Sequence, residues 1–182
     1  MIRERTHRNL DGYGAPLIEW ANVVDRLDQS ISQAPDTGGP NRHTFWLTTV
    51  GGDGRPHSVP LGVLFLDGRF YFTSGLGARK ARNLAHDPRC VLTVATDRFD
   101  LSIEGRAGQV TDPEKVGRVA AVFAGDGDGW PAEARGDEIW APFSAPSAGP
   151  PPWYVFELTP ATVFAFGTAE PYGATRFDVD VA

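Results

Sequence analysis

Three runs of β-forming residues follow one another between His43 and Thr73, separated by nothing longer than a tight turn. Phe45-Trp46-Leu47-Thr48-Thr49-Val50 is aromatic and β-branched, and Gly51-Gly52-Asp53-Gly54 after it is a hairpin signal. A return strand is expected from Pro56 to Leu66. Asp67-Gly68 then turns the chain into Arg69-Phe70-Tyr71-Phe72-Thr73. Turns this short join antiparallel neighbours, because a parallel partner needs a crossover of about a dozen residues or more. This order argues against the alternating strand and helix order of a Rossmann sheet.

The rest of the chain adds rim elements and more strands. Residues 1–16 are polar and read as an arm, one that could lie over a partner subunit. Apolar residues from Leu17 to Ile31 follow helical spacing, and Ala34–Pro40 breaks that helix into a loop. A short helix is expected from Ala78 to His86, with Pro88 ending it. Strands follow at Cys90–Ala95 and Asp100–Val110. Thr111-Asp112-Pro113-Glu114 is a capped helix start, with Val116, Val119, Ala120 and Phe123 on one face. Residues 125–151 read as a long ordered loop with a short helix. Two last strands, Trp153–Leu158 and Thr162–Phe166, precede a tail. The expected fold is mainly β with peripheral helices: six or seven mostly antiparallel strands in a closed or nearly closed barrel. Residues 1–40 form the arm and helix, and 41–182 the barrel domain.

Composition narrows the function classes. At 182 residues the chain fits one domain, and 21 glycines and 15 prolines suit short strands joined by turns. A net charge of −6 argues against nucleic acid as a partner. Cys90 is the single cysteine, so no intrachain disulfide forms, and burial as an apolar residue is its simplest role. No run is apolar enough for a membrane span or signal core, which gives a cytoplasmic expectation. His7, His43, His57 and His86 show no metal-ligand spacing. His57 stands out only because it begins a strand next to the basic segment described below. Asp126-Gly127-Asp128-Gly129 fails the calcium-loop pattern at Trp130. Trp130, Trp140 and Trp153 suit packing better than a substrate pocket.

The segment Thr73-Ser74-Gly75-Leu76-Gly77-Ala78-Arg79-Lys80-Ala81-Arg82-Asn83-Leu84 runs from a strand end through a glycine-rich turn into a helix. Cations in a first helical turn oppose the helix dipole, so Arg79 and Lys80 make sense there if an anion sits between them. The alternative is solvated charge on a surface helix, which local chemistry alone leaves equally open.

In order and spacing, four pieces of the chain resemble the pyridoxamine 5′-phosphate oxidase-like superfamily of split β-barrels. These are Gly54-Arg55-Pro56-His57-Ser58-Val59-Pro60-Leu61, Phe70–Ser74, Arg79–Leu84 and Asp87–Val91. Trp153–Pro160, Phe164–Gly167 and Ala174–Phe177 extend the likeness over residues 43–177. The resemblance implies a Greek-key split barrel and a homodimer with cofactor sites at the subunit interface. It implies that Thr73, Ser74, Arg79, Lys80 and Asn83 hold a cofactor phosphate. Ser58, Val59, Pro60 and Leu61 would run beside its ring, although Val59 and Leu61 are equally explained as barrel core.

The basic R-x-V-L-L-K strand and the R-L-H-D-R tail of true pyridoxamine-phosphate oxidases are replaced by Val59–Phe65 and Arg176-Phe177-Asp178-Val179-Asp180. The pattern is closer to the branch that uses the deazaflavin F420, with FMN the alternative and Arg82 a further cation for the anionic tail. The implied activity is hydride transfer between cofactor and a small organic substrate. The rival reading is a non-catalytic flavin, deazaflavin or haem carrier on the same scaffold.

Overall fold

The computed structural model describes residues 1–29, 43–125 and 129–182. Eleven strands and three helices occur among them. In chain order they are β1 (Ile2–Asn9), α1 (Trp20–Asp28), β2 (Phe45–Val50), β3 (Pro56–Leu61), β4 (Leu64–Leu66), β5 (Arg69–Ser74), α2 (Arg79–His86), β6 (Arg89–Ala95), β7 (Phe99–Gln109), α3 (Pro113–Ala124), β8 (Glu133–Arg135), β9 (Glu138–Trp140), β10 (Trp153–Gly167) and β11 (Ala174–Val181). Each ladder is antiparallel, and the main path runs β1-β11-β10-β7-β6-β2-β3. The sheet is split rather than closed. One edge of β10 carries β7, while the other carries β5 along its first half and β11 along its second. No helix among the described residues is long and apolar enough to cross a membrane.

The core lies between the branches. Phe45, Leu47, Phe70, Phe72, Leu92, Ile103, Leu158, Val163 and Phe177 are almost wholly buried together. Phe72 and Phe156 stack at 5.5 Å across the β5–β10 ladder. A smaller apolar cluster forms on the other face of β5 and β10, where α3 packs Val116, Val119 and Ala120 against Tyr71, Ile139 and Val155. The expected α3 cap is present: Asp112 Oδ1 accepts from the Glu114 amide at 3.0 Å. Lys115 of α3 pairs with Glu157, which also accepts from the Tyr71 hydroxyl at 2.7 Å. Burial, then that carboxylate, raises the Tyr71 pKa far above its ordinary value.

Several expectations are corrected. Residues 2–9 are not an arm but a strand paired with β11, so the N-terminus belongs to the same sheet as residues 43–182. The expected 56–66 strand breaks at Gly62-Val63 into β3 and β4. The 125–151 segment holds the β8–β9 hairpin, turned by Gly136-Asp137, and no helix among its described residues. The two last expected strands are one, β10, and the tail is β11. The first helix is shorter than expected, Trp20–Asp28. The Ala34–Pro40 loop, Ile31 and Asp126-Gly127-Asp128 lie outside the described residues.

Strand β10 continues through Pro160 because Ala161 is bulged out, and the residue opposite the proline is Gly105. A Cβ on Gly105 would stand 2.3 Å from the Thr159 carbonyl oxygen. We expect Gly105→Ala to lower stability by about 2 kcal/mol or more, read from the denaturant midpoint. On the same strand a Cβ on Gly108 meets nothing within 4 Å. Gly108→Ala is expected to stay within about 0.5 kcal/mol of wild type.

Candidate functional site

Helix α2 is fixed to the barrel by one buried chain of hydrogen bonds. Asn83 Nδ2 donates to Thr49 Oγ1 on β2 at 2.9 Å, and Thr49 Oγ1 donates to the His57 carbonyl on β3 at 3.5 Å. Ala81 and Leu84 complete the seat by joining the core. The helix is thereby held against β2, on the sheet face that Thr49 shares with its cross-strand neighbour His57 of β3.

That turn is electrically bare. Its cap residue, Ala78, offers no side-chain acceptor, and the first turn holds no acidic residue. Among the described residues no carboxylate pairs with Arg79 or Lys80. Burial pulls the Lys80 pKa below its usual value. His57 is also held below its ordinary range, by burial first and then by Arg79 and Lys80. An anion at this turn would relieve both penalties.

Strand β3 forms the second wall, and its hydrogen-bond phase follows from the register. The Gly51 amide donates to the Arg55 carbonyl at 2.9 Å, so the bonded pairs continue as Thr49–His57, Leu47–Val59 and Phe45–Leu61. Pro56, Ser58 and Pro60 turn their main-chain groups the other way, toward an edge with no strand partner among the described residues. Two of these three lack an N–H. The free edge of β3 therefore carries one donor, the Ser58 amide, between outward carbonyls.

The sequence-derived residues do not all converge. Arg79 and Lys80 open onto the turn, and Ser58 and Pro60 lie on the exposed edge. Ser58 Oγ accepts from Thr48 Oγ1 at 3.1 Å. Val59 and Leu61 face the core side, with Leu61 packed against the main cluster. Ser74 is buried, and its hydroxyl donates to the Gly75 carbonyl at 3.1 Å. Asn83 is buried too, its amide engaged by Thr49. Thr73 lies on the opposite face of β5 from Ser74, by alternation. Arg82 turns back to the Gly77 carbonyl. The motif thus supplies two cations that no carboxylate among the described residues answers, Arg79 exposed and Lys80 half-buried, with Ser74, Arg82 and Asn83 shaping the turn that presents them. Thr49 was not singled out from sequence, whereas the main chain of Ser58 was, as part of the 58–61 strand. Prolines at positions 56 and 60, two residues to either side of Ser58, leave its amide as the one donor of that edge.

Two surface clefts, of about 480 and 600 Å³, lie elsewhere. Arg106, Lys115 and Glu157 line the first, and Thr6, Thr162 and Asp178 the second.

A family model described as pyridoxamine 5′-phosphate oxidase matches residues 36–167. The chain belongs to the pyridoxamine 5′-phosphate oxidase family. It is 31% identical to a pyridoxine/pyridoxamine 5′-phosphate oxidase of Burkholderia thailandensis, across 78% of this chain and 74% of that one. Among solved structures it resembles a pyridoxamine 5′-phosphate oxidase-related, FMN-binding protein of Nostoc punctiforme. That match has a TM-score of 0.58 at 17% identity and covers 93% of this chain and 99% of the other. A heme-binding protein of Mycobacterium smegmatis shares the fold at a TM-score of 0.52 and 18% identity, over 76% of this chain and 54% of that one. The split barrel expected for this family is the fold observed.

The phase of β3 has a direct check. Ser58→Pro removes no ladder bond and is expected to leave the melting temperature near that of Ser58→Ala. Val59→Pro removes the bond to Leu47 and strands its carbonyl, a loss of about 1–3 kcal/mol in denaturant unfolding.

Proposed function

We propose that this family member is an oxidoreductase that binds a phosphate-bearing flavin-type cofactor, F420 or FMN, and moves hydride between it and a small organic substrate. One observation carries the reading: Arg79 and Lys80 open an uncapped helix turn beside a strand edge, and no carboxylate among the described residues answers them. Backbone N–H groups at a helix start with two cations suit a phosphate. The ring would lie along β3, where the Ser58 amide and its neighbouring carbonyls are open to a ring edge that both accepts and donates. The bound cofactor supplies the redox chemistry. The protein's part is to hold the phosphate, set the ring against β3 and keep water from its face.

The absence of basic residues from Val59 to Phe65, and of the tail histidine and final arginine, favours F420 over FMN and argues against pyridoxamine phosphate as substrate. A second copy of the chain is part of the proposal. Trp46 and Phe166 are 46% and 43% exposed, and by register they share the outward sheet face with Pro60, Val91 and Phe164. An apolar face of this kind on a single chain suits a partner. A subunit seated there would wall the β3 edge.

Equilibrium fluorescence titration with F420 and FMN side by side tests the reading. Wild type is expected to bind one of them, and the Arg79→Ala/Lys80→Ala variant to bind it about 100-fold more weakly or worse. Ser58→Pro is expected to lose ring binding that Ser58→Ala keeps. Failure of wild type to bind either cofactor overturns the proposal. Turnover of the reduced cofactor with a quinone or other unsaturated acceptor separates an enzyme from a carrier.

A further inference from the structure

The side chains of β3 alternate between two faces, and His57 lies on the one that α2 covers. Its opposite number on β2, Thr49, is fully buried and bonded to Asn83. Asn83 stands three residues after Lys80 and four after Arg79, so all three project from neighbouring positions on one side of α2. The register and this hydrogen-bond chain bring three basic side chains, from two elements, to one end of the barrel. The two charged groups of the β2–β3 turn engage each other: Asp53 accepts from the Arg55 amide at 3.1 Å and lies 3.6 Å from its guanidinium. His86, at the far end of α2, sits over Gly52 of that turn.

We propose that His57 is the third cationic group of the clamp, taking a proton from solvent when a phosphate seats between it, Arg79 and Lys80. The inference rests on the phosphate reading above and adds a proton to it. Burial, and then the two fixed cations nearby, make a charged imidazole unfavourable while the turn is open. A bound phosphate reverses the sign of the local field, so the imidazolium becomes the favoured form and donates to a phosphate oxygen. The sign of the linkage follows. His57 in the free protein titrates below the ordinary 6.5 and in the complex above its free value. Ligand affinity must therefore rise as pH falls through the complex's value toward the free protein's, and level off below it. Selectivity follows as well: a group that charges on binding favours ligands bearing phosphate over the dephosphorylated ring.

Calorimetric titration of the full chain with FMN and with F420 tests this, using two buffers of different ionisation enthalpy near pH 6.5. Wild type is expected to take up more protons per bound ligand than His57→Gln or His57→Asn. Comparing variants on one ligand cancels the titration of the free ligand's phosphate, and the remaining difference belongs to His57 and the phosphate it faces together. The affinity of wild type should exceed that of His57→Gln by a ratio that grows toward low pH, by at most about tenfold per pH unit, and vanishes near pH 8.5. Equal proton counts and parallel pH profiles overturn the role of His57 while leaving the Arg79 and Lys80 clamp intact. Binding of neither ligand by wild type, or binding unaffected by the Arg79→Ala/Lys80→Ala change, overturns both. Thermal melting of each variant confirms that the comparison is made between folded proteins.

Discussion

Strand β10 is the constraint on which the architecture depends. Its fifteen residues take β7 along one edge and β5, then β11, along the other, with β9 joining at Trp153 and Tyr154. Side chains from its two faces feed two separate cores. Phe156, Leu158 and Val163 enter the barrel, while Trp153 and Val155 pack beneath α3 and the β8–β9 hairpin. The strand is able to hold both because Pro160 is placed at a bulge opposite a glycine, where a proline's missing donor and its ring cost the ladder little.

The site is built at a distance from that strand, by the polar contacts between α2 and the β2–β3 hairpin. Asn83 and Thr49 are far apart in sequence and both buried, and their hydrogen bond sets the height of α2 above β2. A buried amide without its partner would be costly, so the pair fixes the helix in one position. Arg79 and Lys80 inherit that position, as does the spacing between them and His57. Two clusters that look independent in the chain, residues 57–61 and 73–84, become two walls of one place because of a residue in neither.

Much of this was legible in the sequence, for identifiable reasons. The β2–β3 and β4–β5 hairpins are marked by Gly51–Gly54 and Asp67-Gly68, whose local chemistry decides the turn. Helix α3 announces itself by Asp112-Pro113-Glu114. Strand β1 was hidden because an edge strand open to water has little need of apolar residues, and Ile2 is the one buried residue in it. The β8–β9 hairpin was hidden because three-residue strands leave no readable periodicity around Gly136-Asp137. Within the site, the cations and the strand were visible, but the duties of Ser74 and Asn83 were not. A hydroxyl or amide next to a basic turn looks like a ligand until its internal partner is known.

The prolines of β3 have a consequence beyond the ligand contact proposed for that strand. A ligand-facing strand has to keep an edge uncovered, and an uncovered edge is a template on which another chain can add its own strand. Pro56 and Pro60 deny such an intruder two of the three donors it would need, leaving the Ser58 amide as the one donor along that stretch of edge. An open rim of this kind is a poor template for strand exchange, while the compact ring proposed above would need only its one amide.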